Sequence, residues 1–295
     1  MAYCNSKTTQ CRKVTNILKG KIFPVVMTIA GSDSGGGAGI QADLRTFAYL
    51  GTYGTSVITS ITAQNPCEVK AIYPLPVKIV LSQLETIFSK ISVKSIKTGM
   101  LFDSSIIKAV AKFLEKQKNV KIVIDPVMVS TSGSLLLKKT ALNALKEYLL
   151  PLAKFITPNI EEAQFIIEKK IKNLDEACLA AGEIEAKWGV SCVIKGGHKT
   201  YLKGKRIDVV CREQKYYYIT GPSIKCSNYV THGTGCTFSA ALAANIAKGM
   251  DELDSLYSAR LFVHNSLLNA VRIGKKINAM FPLQKDNGDI KICMI

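Results

Sequence analysis

The sequence predicts an α/β fold in three layers, a mostly parallel central sheet with helices on both faces. Three observations predict it. Short runs rich in β-branched residues alternate with amphipathic runs of helical period along most of the chain. The helical runs are about 10–15 residues long, the size of a crossover between parallel strands. Polar, glycine-rich segments follow the strands, after residues 30, 63, 98, 125 and 195, where sheets of this class bind ligands. Hydrophobic residues make up 47% of the 295 residues and charged residues 21%, enough for one large core and too apolar for a disordered chain.

In order along the chain, residues 25–30 are an apolar run ending at glycine and predict a buried strand. Ile40, Leu44, Phe47 and Leu50 recur with helical spacing and predict a helix over 40–50. Residues 55–63 are β-branched and predict a strand; Val77, Val80, Leu81, Leu84, Ile87 and Phe88 mark one face of a helix over 77–90. A short strand over 95–98 precedes Asp103, placed to cap a helix over 104–117. Residues 121–125 form a strand stopped by Pro126. Then follow a helix over 140–149, a strand over 155–157, a helix over 175–188, a strand over 190–195 and a hairpin over 206–219. Helices over 234–248 and 251–273 complete the pattern. Residues 23–280 thus make one domain, residues 1–22 a basic, flexible N-terminal extension, and residues 281–295 a C-terminal tail.

The formal net charge is +17, which invites a polyanionic partner. Arginine occurs only at Arg12, Arg45, Arg206, Arg212, Arg260 and Arg272, and the lysines are spread rather than clustered, so nucleic-acid binding is not supported. No apolar run approaches the roughly 18 residues of a membrane span. Nine cysteines, an odd number with no C-x-x-C pair, read as reduced thiols of a cytoplasmic protein and show no metal spacing. The extension carries no acid before Asp33, as transit peptides do, but its scarcity of arginine favours a simple tail.

Five segments carry chemistry. Gly31 to Gly39, G-S-D-S-G-G-G-A-G, joins a strand to a helix and lets backbone N–H groups approach a ligand. It matches neither G-x-G-x-x-G with a trailing acid nor G-x-x-x-x-G-K-[ST], so a Rossmann or Walker-type site is not supported; the bland alternative is a turn. Residues 230–237, V-T-H-G-T-G-C-T, open a helix. Glycines there present unpaired N–H groups and the positive end of the helix dipole, which suits the charge that builds on a phosphoryl group in transfer. Asn159 and Glu162 in I-T-P-N-I-E-E-A lie three apart and share a helical face. Such a pair can hold hydrated Mg2+, which takes few carboxylates; the alternative is a capped helix with a surface acid. Asp125 in I-D-P-V-M ends a buried strand, or is a turn residue before proline. Lys195 in I-K-G-G-H stands where nucleotide phosphates would lie, or is a surface lysine.

Together and in order, these segments resemble the hydroxymethylpyrimidine/phosphomethylpyrimidine kinases of thiamine biosynthesis, within the ribokinase-like group. The resemblance runs from about residue 25 to about residue 275, through TIAGSDSGGGAGIQADLRTF, YGTSVITSITAQN, KTGML, DPVM, ITPNIEEA, KGGH and THGTGCTFSAALAANIAKG. It implies a ribokinase-like sheet, ATP and Mg2+ as cofactors, two successive phosphorylations and a homodimer. By motif position it implies that Gly31, Asp43, Gln64, Met100 and Val127 line the pyrimidine pocket. Gln64 would offer donor and acceptor to an aminopyrimidine edge, and Asp43 would accept from the ring amine or hold the substrate. His232, Gly233, Thr234, Gly235 and Cys236 would form the anion hole. Lys195 and Asn159, with His232 and Thr234, would serve ATP, and Asp125 and Glu162 the metal.

Sugar kinases of the wider group carry Asp where this chain has Cys236. A thiol at a helix N-terminus can be partly thiolate and take a proton; the rival view is that a loose transition state needs little base help and Cys236 only shapes the site. The first loop lacks the Pro or second Ser that relatives usually show, and neither the N-terminal extension nor the tail after residue 280 has a counterpart in the family. Three other readings stand beside this one. A pyridoxal kinase of the same branch would more often carry Met in place of Gln64. A non-catalytic binding protein would not need the phosphoryl apparatus. A polyanion-binding protein rests on net charge alone.

Overall fold

The computed structural model describes residues 23–128, 139–196, 205–224, 231–275, 277–282 and 291–294. The predicted N-terminal extension, the histidine of K-G-G-H and most of the C-terminal tail lie outside these residues.

Six strands run parallel in the order β2-β1-β4-β5-β6-β7. They are β1 (Val25–Asp33), β2 (Tyr53–Asn65), β4 (Val93–Thr98), β5 (Lys121–Ile124), β6 (Phe155–Ile156) and β7 (Ser191–Ile194). β3 (Glu68–Pro74) pairs antiparallel with β2 at one edge. At the other edge β8 (Lys205–Arg212), β9 (Lys215–Pro222) and β12 (Lys291–Met294) add antiparallel strands, for ten among the described residues. A separate small hairpin joins β10 (Val271–Gly274) to β11 (Ile277–Ala279).

The middle strands are near-continuous runs of Val and Ile because both sheet faces are covered. On one face lie α2 (Val77–Phe88), α3 (Ser104–Leu114), α4 (Lys139–Ala144), α5 (Ile160–Ile167) and α6 (Leu174–Trp188), which share a core with Met27, Ile29, Ile96 and Ile124. On the other lie α1 (Gly39–Tyr49), α7 (Thr234–Ala247) and α8 (Glu252–Leu268), packed on Val26, Val123, Phe155 and Val193. Each fully buried Val, Ile or Phe contributes about 1.5–3 kcal/mol relative to exposure. This is the three-layer, ribokinase-like architecture that the sequence predicts.

α7 is the central helix of its face. Phe238 and every residue from Ala240 to Ala244 are wholly buried, so the helix is apolar all round and wedged between the sheet, α1 and α8. Its run of alanines permits that close approach. The wedge places its N-terminus, the predicted anion hole, against the carboxyl ends of β5 and β7.

The structure departs from the predicted elements at three points. The helix expected over 251–273 ends at Leu268, and Val271 begins a strand: the apolar pattern continues, but β-branched Val271 and Ile273 belong to the hairpin with β11. The tail is not free throughout, since Lys291–Met294 pairs with β9 from Thr220 to Tyr217 and covers the sheet edge. β3, with its alternating exposed lysine, glutamate and tyrosine, escaped the sequence pattern; it is a one-sided edge strand with little apolar content.

Candidate active site

The phosphate side of the site is built from three strand ends and one helix start. Lys195, just past β7, pairs as an isolated parallel bridge with Asn159 and donates its N–H to the Pro158 carbonyl at 2.8 Å. Its ammonium reaches Asp125, just past β5, at 2.7 Å, with side-chain exposures of 10% and 2%. Burial acts to lower the Lys195 pKa, but Asp125, then Glu162, outweigh it and raise it, so the ammonium stays charged. A Cβ on Gly235 would stand 3.1 Å from Lys195 Nζ and 3.8 Å from Asp125 Oδ2, which places the first turn of α7 directly against the pair. Gly233 caps α7 with φ 80°, and a Cβ there would strike the Gly37 carbonyl at 1.8 Å, so only glycine fits. Among the described residues no backbone carbonyl takes up the N–H of Gly235 or Cys236. These orphan donors, the helix dipole and Lys195 together form a cradle for an anion.

Asn159 and Glu162 meet reciprocally. The Asn159 side chain accepts from the Glu162 N–H at 2.8 Å, and Glu162 Oε2 accepts from the Asn159 N–H at 2.8 Å, a capping box at the start of α5. Glu162 is not a surface acid: it is 5% exposed. Burial pushes its carboxyl up to about 7, Asp125 adds to the rise, and Lys195 with the N–H groups of Asn159 and Met128 opposes it.

On the acceptor side, Gly31 occupies a register break between β1 and β2, where a Cβ would lie 2.7 Å from Ser60 Oγ and 3.3 Å from Met100 Sδ. The loop that follows is organised by Asp33. Its Oδ1 accepts from the Gly35 N–H and its Oδ2 from the Ala38 N–H, both at 2.8 Å, and His232 Nε2 lies 2.9 Å from Oδ2. Burial raises the Asp33 carboxyl, but His232 and these backbone N–H groups outweigh it and hold it below its ordinary value. The Gln64 terminal amide lies between His232 Nε2 at 3.4 Å and Thr62 Oγ1 at 3.3 Å. Thr62 has one hydroxyl proton and gives it to the Ser32 carbonyl at 2.8 Å. Gln64 Oε1 is the atom that faces the Thr62 hydroxyl, and its NH2 faces the imidazole.

Cys236 lies between the two sides. The Gly39 N–H lies beside its sulfur and acts to lower its pKa. Burial pushes the thiol up to about 11; Lys97 acts against this, while Asp125 and Asp43 add to it. The partial thiolate that a helix N-terminus would favour is thus overridden by desolvation and two nearby carboxylates.

The profile of the family described as phosphomethylpyrimidine kinase matches residues 33–281. The chain belongs to this family. It is 40% identical over 252 residues to the hydroxymethylpyrimidine/phosphomethylpyrimidine kinase of Haemophilus influenzae, covering 85% of this chain and 93% of that one. A thiamine biosynthesis bifunctional protein of Geobacter sulfurreducens is 40% identical over 250 residues, and the match covers 85% of this chain but 50% of that protein. Among solved structures, pyridoxal kinase from Staphylococcus aureus in complex with AMP-PCP and pyridoxal superposes with TM-score 0.84 at 32% identity, over 93% of this chain and 100% of that one. Phosphomethylpyrimidine kinase from Clostridium difficile superposes with TM-score 0.71 at 39% identity, over 81% and 97%. The family membership makes the chain a phosphotransferase, and neighbours with an ATP analogue or ADP bound support ATP as its donor.

In this family member, the predicted site residues divide into three sets. Gly233, Thr234, Gly235, Cys236, Lys195 and Asp125 come together at the cradle, with Glu162 and Asn159 beside them. Gly31, Met100 and Gln64 gather around the first loop, and half-buried Val127 donates its N–H to the Asp125 carbonyl at 2.8 Å, on the strand-end stretch between the sets. Asp43 stands apart. It is wholly buried, with Lys97 Nζ at 2.8 Å and Thr28 Oγ1 at 2.6 Å on its carboxylate, so it offers no open surface to a ring amine. Sequence reasoning missed Asp33 and Lys97. Lys97 had a signal: a lysine inside a strand otherwise buried on both faces demands a partner.

Proposed function

We propose that this chain transfers the γ-phosphoryl group of ATP to the hydroxymethyl oxygen of 4-amino-5-hydroxymethyl-2-methylpyrimidine, and then a second one to the resulting monophosphate, to supply thiamine biosynthesis. The observation that carries the reading is the cradle at the start of α7, set against the Lys195–Asp125 pair and facing the Gly31–Gln64 loop. The orphan N–H groups of Gly235 and Cys236 are placed to stabilise charge on the transferring group, and Lys195 holds a fixed positive charge next to them. Cys236, kept protonated by its surroundings, shapes the site rather than taking the acceptor proton. The same cradle admits the phosphate of the monophosphate in the second transfer.

The residues fit Mg2+ held with a nucleotide. Among the described residues no cluster of three or more His, Cys, Asp and Glu could cage a metal, and Mg2+ on phosphates needs only one or two carboxylates. Asp125 and Glu162 supply these; burial first, and Asp125 in addition, raise the Glu162 carboxyl, and a cation would favour its charged form. Bound Mg2+ would neutralise charge on the phosphates. A homodimer and a cytoplasmic location complete the reading, the latter supported by six free cysteines among the described residues. None of the described helices is long and apolar enough to cross a membrane.

A second reading, pyridoxal kinase, draws on the higher TM-score of the Staphylococcus aureus enzyme. Gln64 favours the pyrimidine, because its amide matches an aminopyrimidine edge. The test is transfer from Mg-ATP to the hydroxymethylpyrimidine, its monophosphate and pyridoxal, with products resolved by mass. Mono- and diphosphate of the pyrimidine are expected; transfer to pyridoxal alone would replace this reading with the second.

A further inference from the structure

The two glycine-rich segments are far apart in sequence and interlock in space. Gly37 packs on the His232 ring, where a Cβ would come within 2.5 Å of Cδ2, and Gly233 packs on the Gly37 carbonyl. The Gly39 N–H lies beside the Cys236 sulfur, and Gly39 itself has φ 57°. One carboxylate ties these contacts together. Asp33 holds the N–H groups of Gly35 and Ala38 within the first loop, and across 199 residues it meets His232, which immediately precedes the cradle. Because both groups are buried, at 7% and 3% side-chain exposure, the bond is shielded from competing water. The same imidazole nitrogen lies 3.4 Å from the Gln64 amide nitrogen, so His232 borders both Asp33 and the acceptor-side amide.

We propose that Asp33 and His232 are positioning residues that latch the acceptor-side loop onto the anion cradle, so that Gln64, Gly39 and Cys236 are set in place together. Neither residue needs to touch the reacting atoms. The latch would make the cradle complete only when the first loop is closed, linking acceptor binding to phosphoryl transfer. Its consequence for turnover rests on the kinase reading above, but its geometry does not.

The test therefore uses a readout separate from activity: the rate at which iodoacetamide labels Cys236, followed by peptide mass. Asp33→Asn and His232→Ala should each speed labelling about tenfold, the scale of a lost hydrogen bond to a charged group. The double variant should label no faster than the faster single, since both remove one contact. His232→Gln, which returns an N–H donor near the Nε2 position, should restore a rate near that of the wild type. Cys192, fully buried in β7, is the internal control for folding. If Asp33→Asn also exposes Cys192, the variant is unfolding, and His232→Ala against His232→Gln decides alone. Wild-type labelling rates in the single variants, or additive effects in the double, would overturn the latch. In parallel, His232→Ala should lower kcat for the pyrimidine more than it raises KM for ATP, and His232→Gln should recover it. A wild type that phosphorylates no acceptor would sink the kinase reading while leaving the labelling result to judge the latch.

Discussion

Among the described residues, two buried lysine–aspartate pairs are alike in chemistry and different in setting. Lys97 and Asp43 meet at 2.8 Å with no exposure on either side chain, joining β4 to α1. Lys195 and Asp125 meet at 2.7 Å but border the cradle, where Lys195 keeps 10% of its side chain open. The first pair, with the Thr28 hydroxyl as third partner, satisfies itself and fastens the layers. Asp43 outweighs the effect of burial on Lys97 and raises its pKa, so this ammonium too is charged. The difference teaches that a buried charge pair marks function only where it faces a space that a ligand can enter.

The largest expected effect breaks the sealed pair. Lys97→Met leaves the Asp43 carboxylate buried without its partner and should cost about 3–5 kcal/mol of unfolding free energy. Adding Asp43→Leu should recover most of that loss in urea melts, because an apolar pair can replace a buried ion pair. No recovery would mean that Asp43 does more than pair with Lys97.

The open pair should respond in the opposite way. Lys195→Met should lower kcat by roughly 10²–10³, as for a lost electrostatic stabiliser, with a smaller loss of stability than Lys97→Met because Asp125 lies at the entered side. Equal stability losses at the two positions would erase the contrast.

A smaller, pH-dependent effect sharpens it. The Glu162 carboxyl is raised from 4.5 to about 7, so the folded state holds its proton more tightly than the unfolded chain does. That stabilisation is complete below about 4.5 and is lost as pH rises through about 7. Glu162→Gln cannot ionise and should gain stability relative to the wild type across that window; a constant difference from acid to neutral pH would contradict the buried, crowded carboxyl.

The smallest effect is expected at Cys236. With its thiol pushed up to about 11, Cys236→Ala should keep the wild-type pH–rate profile and lose less than about tenfold in kcat. Loss from the profile of a rise in rate with pH, the limb that an essential base produces, would restore the thiolate base.

The ends of the sheet show why some elements were legible and others not. Strands such as 121–124 and helices such as 104–114 carry their own signal in apolar period and an N-cap, here Asp103 accepting from Ser105 and Ile106 N–H. β3 and β12 carry little, because an edge strand is defined by the neighbour it pairs with. In the site, the glycine segments, Lys195 and Cys236 were legible from residue type at strand ends and a helix start. Asp33 was not, since its partner is remote in the chain.

By itself the sequence determined the layer order, the strand-end position of the chemistry and the family, because period and motif are local properties of the chain. Only the tertiary structure decided that Asp43 is sealed behind Lys97, that Asp33 meets His232, and that the Cys236 thiol is held protonated. Those outcomes depend on desolvation and on charges brought from distant segments, which a linear pattern does not encode.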